Sequence, residues 1–323
     1  MLRVKLVFGG GVFISDRAFA TADQKAELFS VLTAHNVSAI DTSQNYGPSE
    51  SRLGAARAGD LFALDTKAYG GFQPGSSRPP AIVSAAEQSI QNLGVQQVDI
   101  FYLHCPDRTV PLSETLSGIN QIHNLGLFKR FGLSNFTAEE VLAVHAHCRE
   151  KNYVLPTVYQ GTYSALARLA ETHLLPTLRQ LNISFYAYSP IAGGFLARSS
   201  RSEIDHAPKV GRFDPTTPLG RVYCQLYARP AYLAALDEWG GIAREYGLRP
   251  AEMAYRWVAT AGALDPAKGD AVVFGGRDVG QVRQTLEWIA KGELPADVVA
   301  RIERLWEAVR HEAPLDNFNS GTL

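Results

Sequence analysis

Eight short apolar, β-branched runs recur along the chain, with helical-period segments between them. They lie at Val4–Phe8, Val37–Asp41, Leu61–Lys67, Val98–His104, Phe128–Leu133, Thr157–Gln160, Ile183–Tyr188 and Ala271–Phe274. Of the intervening segments, Pro79–Leu93 starts with a Pro-Pro pair and has apolar positions at Ile82, Val83, Ala86, Ile90 and Leu93. Thr137–Lys151 opens with Thr137 and Glu140 at the spacing of a capping box. Strands that alternate with helices read as a parallel sheet. Eight is also the number that closes into a (β/α)8 TIM barrel, and 323 residues accommodate the roughly 250 of a typical barrel plus insertions. The competing doubly wound sheet wants Gly-x-Gly-x-x-Gly after its first strand, with a helix opening there. Gly9-Gly10-Gly11 followed by Val12-Phe13-Ile14 does not supply it. The expectation is a single α/β barrel domain over residues 1–323. Its largest insertion, about residues 191–229, is rich in Gly, Pro, Ser and Arg and reads as a long loop.

Composition removes several function classes. With 31 Lys+Arg against 32 Asp+Glu the formal net charge is −1, so the basic excess usual in nucleic-acid binders is missing. A 46% hydrophobic content at near-zero net charge is that of a folded chain, not a disordered one. Met1–Gly11 is too short an apolar stretch for a signal segment, and no run approaches the roughly 18 apolar residues of a membrane span. Cys105, Cys148 and Cys224 are odd in number and widely spaced, against a disulfide framework or a structural zinc site. A cytoplasmic protein without a metal is expected. His145, His147 and Cys148 look metal-like, but on a helix only His145 and Cys148 share a face, and two ligands are too few.

In a barrel enzyme the chemistry sits at the C-terminal ends of the strands. Here the second run ends in Asp41, with Tyr46 five residues on; the third ends in Lys67; the fourth ends in His104. A barrel brings this carboxylate, phenol, ammonium and imidazole to one mouth. Such a set suits proton donation to a carbonyl oxygen. A tyrosine titrates ordinarily near 10; a neighbouring Lys favours its phenolate, and a buried Asp holds that Lys charged. A neutral His can donate to the developing oxyanion. None of the four is a hydride source, so reduction requires a cofactor.

The same residues carry a family resemblance. Asp41-Thr-Ser-Gln-Asn-Tyr46-Gly47 with Ser49-Glu50, then Lys67 and His104, resembles the signature of the aldo-keto reductase superfamily. Further segments are similar to its aflatoxin-aldehyde reductase (succinic semialdehyde reductase) branch: Asp99–Asp107, Gly132–Asn135, Leu155–Gly161, Phe185–Gly194 and Gly211–Phe213. The resemblance covers nearly the whole chain. It implies a carbonyl reductase with NADPH as cofactor, Tyr46 as general acid, Lys67 and Asp41 tuning it, and His104 orienting the carbonyl. It further implies that Ser134, Asn135 and Gln160 hold the nicotinamide carboxamide and that Tyr188 stacks on the ring. The loop Ser189, Pro190, Ile191, Gly193, Gly194 would cover the pyrophosphate, and a homodimer is suggested.

Two stretches depart from the family. Where many members have a Lys-Ser pair and a following Arg for the adenosine 2′-phosphate, this chain has Gly275-Gly276-Arg277, then Gln281 and Arg283. Arg277 is the first candidate for the phosphate, with Arg283 and Arg198 behind it, and use of NADH stays open. The tail, Asp316–Leu323, lacks the terminal Arg that serves small carboxylate-bearing substrates. That counts against a preference for succinic semialdehyde and leaves a bulkier carbonyl compound as the expectation. The aromatics Phe8, Phe13, Phe72 and Phe213 could border the substrate or belong to the core. A different class of function is also compatible with the motifs: an NADPH-binding redox-sensing partner subunit with little turnover. A barrel glycosidase needs two opposed carboxylates, whereas His104 and Tyr188-Ser189 stand at two of the strand ends where such acids commonly sit.

Overall fold

The computed structural model describes residues 4–15, 17–205 and 212–319. Gly211 of the Gly211–Phe213 segment and the last four residues of the tail lie outside them. The strands are β1 (Lys5–Gly9), β2 (Ala39–Asp41), β3 (Ala63–Ala68), β4 (Val98–Leu103), β5 (Phe128–Ser134), β6 (Pro156–Thr162), β7 (Ser184–Tyr188) and β8 (Ala271–Phe274). All eight pair in parallel with their sequence neighbours, and β8 pairs with β1, so the sheet closes as a (β/α)8 barrel. Each run expected from the sequence is a strand.

Helices α1 (Ala22–Ala34), α2 (Ser49–Ala55), α3 (Pro79–Leu93), α4 (Leu112–Asn124) and α5 (Ala138–Lys151) follow the first five strands in turn. The short α6 (Ala170–His173) and α7 (Leu175–Gln180) follow β6. After β7 come α8 (Ser202–Asp205), α9 (Pro218–Tyr227), α10 (Pro230–Glu245) and α11 (Pro250–Thr260); α12 (Val279–Ala290) and α13 (Ala296–Val309) complete the chain. Local chemistry starts and stops these helices. Thr137 and Glu140 form the expected capping box of α5, and Thr21 with Gln24 forms another at α1. Pro79 stands at the first position of α3 and Gly94 ends it in the left-handed conformation. Among the described residues no helix is long and apolar enough to cross a membrane.

The alternation of each strand sorts its side chains into two cores. Val7, Ile100, Tyr102, Val158, Tyr186, Ala271 and Val273 pack together in the barrel interior. Their strand neighbours Phe8, Phe101, Leu103, Tyr159, Phe185, Val272 and Phe274 join the larger layer between sheet and helices. Gly132 is required by the inner layer: a Cβ there would come within 2.3 Å of the Tyr102 ring. The 191–229 segment is not loop throughout. It carries the turn Ala192–Ala197 and the helix α9, which Pro218 opens and the Thr217 side chain caps. Phe195, Phe213, Tyr223 and Tyr227 from this segment form one aromatic cluster, with Tyr227 stacked against Phe195 and Tyr223.

Candidate active site

The inward parity of the strands carries six of the expected residues to the C-terminal rim. Asp41, Lys67 and His104 come from β2, β3 and the end of β4; Ser134, Gln160 and Tyr188 come from β5, β6 and β7. Lys67 is fully buried. Its Nζ lies 2.6 Å from each oxygen of Asp41 and donates to the Thr42 carbonyl at 2.9 Å. The Asp41 carboxylate also accepts from Gln160 Nε2 at 2.9 Å. Burial pulls the Lys67 ammonium toward neutrality, but the Asp41 charge overcomes it and holds its pKa above the usual lysine value.

Tyr46 stands on the loop between β2 and α2, its ring 5.3 Å from Lys67 Nζ and 5.7 Å, edge to face, from the His104 ring. That loop is tied on both sides. Thr42 and Ser49 share a 2.7 Å hydroxyl contact, and Ser49 donates to the Gly10 carbonyl. Gln44 donates to Ala85 and Ser89 on α3. Glu50 accepts from Thr66 at 2.6 Å. The polar residues around Tyr46 in the sequence motif are therefore anchors that fix where its phenol sits.

The electrostatics correct one expectation. Lys67 does draw the Tyr46 pKa down, but desolvation outweighs it and the phenol is held above its ordinary value near 10. At neutral pH Tyr46 is therefore a protonated phenol. His104 is buried, and desolvation first, then the Lys67 charge, push its pKa well below 6.5, so the imidazole is neutral.

Along the other half of the rim, Asn135 adopts a left-handed backbone (φ 59°). Its Nδ2 donates to the His104 carbonyl at 2.8 Å and to Ser134 Oγ at 3.1 Å, and its Oδ1 accepts from Tyr188 at 3.0 Å. After Tyr188 the backbone takes positive φ at Ser189, Ala192, Gly193 and Gly194, bracketing Pro190 and Ile191. Arg198 returns to this turn, donating to the Gly194 carbonyl and lying 4.7 Å over the Phe213 ring. Arg277 is close enough to lower the pKa of Arg198, after burial as the larger cause. Gln281 accepts from the Arg277 amide while its own amide caps on Asp278, and both stand at the start of α12 beside Gly275. Arg283 points instead to Glu27 on α1, at 3.7 Å.

A family model, the aldo/keto reductase family, matches residues 5–307. The chain belongs to the aldo/keto reductase family. Its similar proteins include oxidoreductase sirO of Leptosphaeria maculans, 43% identical over 91% of this chain and 89% of the relative. Aflatoxin B1 aldehyde reductase member 2 of Rattus norvegicus is 34% identical over 85% of this chain and 78% of its own length. Aldo-keto reductase pigE of Monascus ruber is 31% identical over 95% of both chains.

Three features of this aldo/keto reductase site were not singled out in the sequence. Ser43 lies 2.9 Å from His104 Nδ1; it is one residue in a motif where Asp41 and Tyr46 draw the eye. Asp65 is fully buried beneath the Lys67–Asp41 pair, and desolvation, then Asp41 and Asp99, push its carboxyl well up. Its signal was legible: an acid two residues before Lys67 shares that residue's inward parity. Phe318, in the tail, packs 5.3 Å from Phe72, which lies 5.0 Å edge-on from His104. Of the four aromatics expected to border either substrate or core, Phe8, Phe13 and Phe213 are core, and Phe72 stands at the mouth.

Proposed function

We propose that this protein is an NADPH-dependent reductase of aldehydes or ketones, with Tyr46 as the general acid. The observation that carries the reading is the sealed Lys67–Asp41 pair directly beside a protonated Tyr46 and a neutral His104. When bound, the cofactor supplies the hydride that reduces the carbonyl carbon. The substrate oxygen sits between Tyr46 and His104. Tyr46 gives its proton to that oxygen as negative charge grows there, and the alcohol forms. The phenolate left behind is stabilised by Lys67, whose charge is preserved by Asp41. His104 holds the oxygen through a neutral hydrogen bond without competing as an acid.

Several features suit the cofactor. The Tyr188 hydroxyl is tied to Asn135 Oδ1, which holds its ring at the rim where a nicotinamide would stack, and Gln160 keeps its side-chain carbonyl without a partner among the described residues, ready for an amide. The left-handed turn through Gly193-Gly194 has no Cβ at either position, a backbone that would suit the close approach of a pyrophosphate. Arg198, which lies in the field of Arg277 as well as of Glu203, and Arg277 are the candidates to hold a 2′-phosphate, the group that distinguishes NADPH from NADH. Cys105, Cys148 and Cys224 are free thiols, in keeping with a reducing, cytoplasmic setting. For the substrate, the mouth formed by Tyr46, Phe72 and Phe318 favours an apolar, aromatic carbonyl compound over a small charged one.

The test is NADPH oxidation with a panel of aldehydes, wild type beside Tyr46→Phe. Loss of the phenol should lower kcat by roughly 10²–10⁴-fold with cofactor binding retained. Equal turnover in both proteins would remove Tyr46 as the acid. Tight NADPH binding with no turnover of any carbonyl would favour a redox-sensing subunit.

A further inference from the structure

We propose that Ser43 is the positioning residue that fixes the tautomer of His104, leaving Nε2–H as the donor toward the substrate. This rests on the reading of His104 as the group that orients the carbonyl. The argument is a count of donors and acceptors in a dry place. Ser43 is fully buried. Its Oγ accepts from the Asn45 amide at 3.1 Å and lies 2.9 Å from His104 Nδ1. Were Nδ1 protonated, the Ser43 oxygen would accept twice, and its own hydrogen would have no acceptor among the described residues. A buried donor left unmade is costly, so the arrangement that satisfies every group is preferred. In that arrangement Ser43 O–H donates to Nδ1, and the imidazole proton resides on Nε2.

The rest of the surroundings leaves Nε2 to the substrate. The His104 carbonyl accepts from Asn135 Nδ2, which fixes the backbone on β4's end. Tyr46 and Phe72 meet the imidazole in T-shaped contacts, with ring centres 5.7 and 5.0 Å away. Lys67, the cation facing it from β3, disfavours a second proton on the ring. Nε2 has no hydrogen-bond partner among the described residues. A neutral imidazole donates from one nitrogen only, so the choice made at Nδ1 decides whether a carbonyl oxygen meets a hydrogen or a lone pair. Ser43 therefore acts on the substrate without touching it.

The experiment is histidine nitrogen NMR of the full protein, with the His104 signals assigned by comparison with His104→Gln. The expected result is a protonated Nε2 and an unprotonated, hydrogen-bonded Nδ1 at neutral pH. Ser43→Ala should lose this single tautomer, and Ser43→Thr, which keeps the hydroxyl, should restore it. In turnover, Ser43→Ala should lower kcat about tenfold, less than the roughly 10²–10³-fold loss of an oxyanion donor itself. The KM for NADPH should stay unchanged, and Ser43→Thr should recover most of the rate. A protonated Nδ1 in the wild type overturns the proposal, as does a Ser43→Ala protein with the wild-type tautomer and rate. Because the NMR signature needs no turnover, it separates this proposal from the assignment of reductase activity. An active enzyme with Nδ1–H refutes only the former; an inactive protein with Nε2–H refutes only the latter.

Discussion

Gln160 Nε2 donates to Asp41 Oδ1 at 2.9 Å, joining β6 to β2 across the mouth of the barrel. The contact gives the buried Asp41 carboxylate a second donor beside Lys67. It also gives Gln160 a duty beyond any amide it offers a cofactor: its nitrogen is committed to the protein, its oxygen is not.

The Lys67–Asp41 pair is a sensitive point in the fold. Lys67 and Asp41 have side chains 0% and 4% exposed, so removing either partner strands a charge in a dry site. Lys67→Met should destabilise the protein by about 3–5 kcal/mol in urea titrations. Adding Asp41→Asn should recover most of that loss, since no charge then remains to be solvated. Activity should not return with stability in the double variant. Additive losses in the two single variants and the double would show that the pair is not coupled.

Asp65 yields a prediction of opposite sign. Its folded pKa is raised well above 3.8, by burial first and by Asp41 and Asp99 after it. A carboxyl so raised contributes stability that is fully present below its unfolded pKa. That contribution is lost as pH rises from there toward the folded pKa. Asn has no such pH dependence, and its carbonyl can keep the bond from the Ile100 amide that Asp65 accepts at 3.2 Å. Asp65→Asn should therefore melt at least about 2 °C above wild type at pH 7. The advantage should close near pH 4, and one of equal size at both pH values would mean that Asp65 is ionised in the fold.

Most of this architecture was legible because it depends on period and parity. The eight runs alternate as barrel strands must, and inward parity alone places Asp41, Lys67 and Gln160 within reach of one another. The capping box at Thr137 was legible for the same reason: its chemistry is local. The sign of the Tyr46 shift was not, since it depends on how burial compares with the field of Lys67, which is a matter of depth rather than spacing. Helix α9 was hidden by the Gly, Pro and Ser around it, although Thr217 and Pro218 are ordinary start signals. Phe318 meets Phe72 across more than two hundred residues of sequence, and no local pattern announces such a contact.

Cys105 follows His104 directly, which invites the idea of a redox-sensitive site. The strand geometry argues otherwise. Alternation turns the thiol away from the mouth, toward the Tyr69 carbonyl and an apolar cavity lined by Leu103, Phe136 and Ala143. Burial pushes its pKa up to about 12, and that of Cys148 to about 11. At pH 8 the Cys105 thiolate is then on the order of one molecule in ten thousand. Iodoacetamide should label the half-buried Cys224 first, leave Cys105 unmodified in the folded protein, and spare activity. Early labelling of Cys105 by mass spectrometry, with parallel loss of turnover, would contradict this.

The mouth predicts how substrates are sorted. Phe72 is 43% exposed, unusual for a ring of its size, and stands between His104 and Phe318. The tail that brings Phe318 there is held by Asn319, which donates to the Asn135 carbonyl at 3.2 Å and accepts from Arg108 at 3.0 Å. Arg108 also lies 5.8 Å over the Phe318 ring. An aromatic aldehyde entering beside His104 would bury these faces, whereas a short aliphatic one would reach Tyr46 without covering them. Phe72→Ala and Phe318→Ala should each raise KM for an aromatic aldehyde by about three- to tenfold, the worth of one aromatic pair. The KM for propanal should change by less than about twofold, and kcat should be preserved for both. If the two substrates lose affinity equally, the rings support the shape of the site and do not contact the substrate.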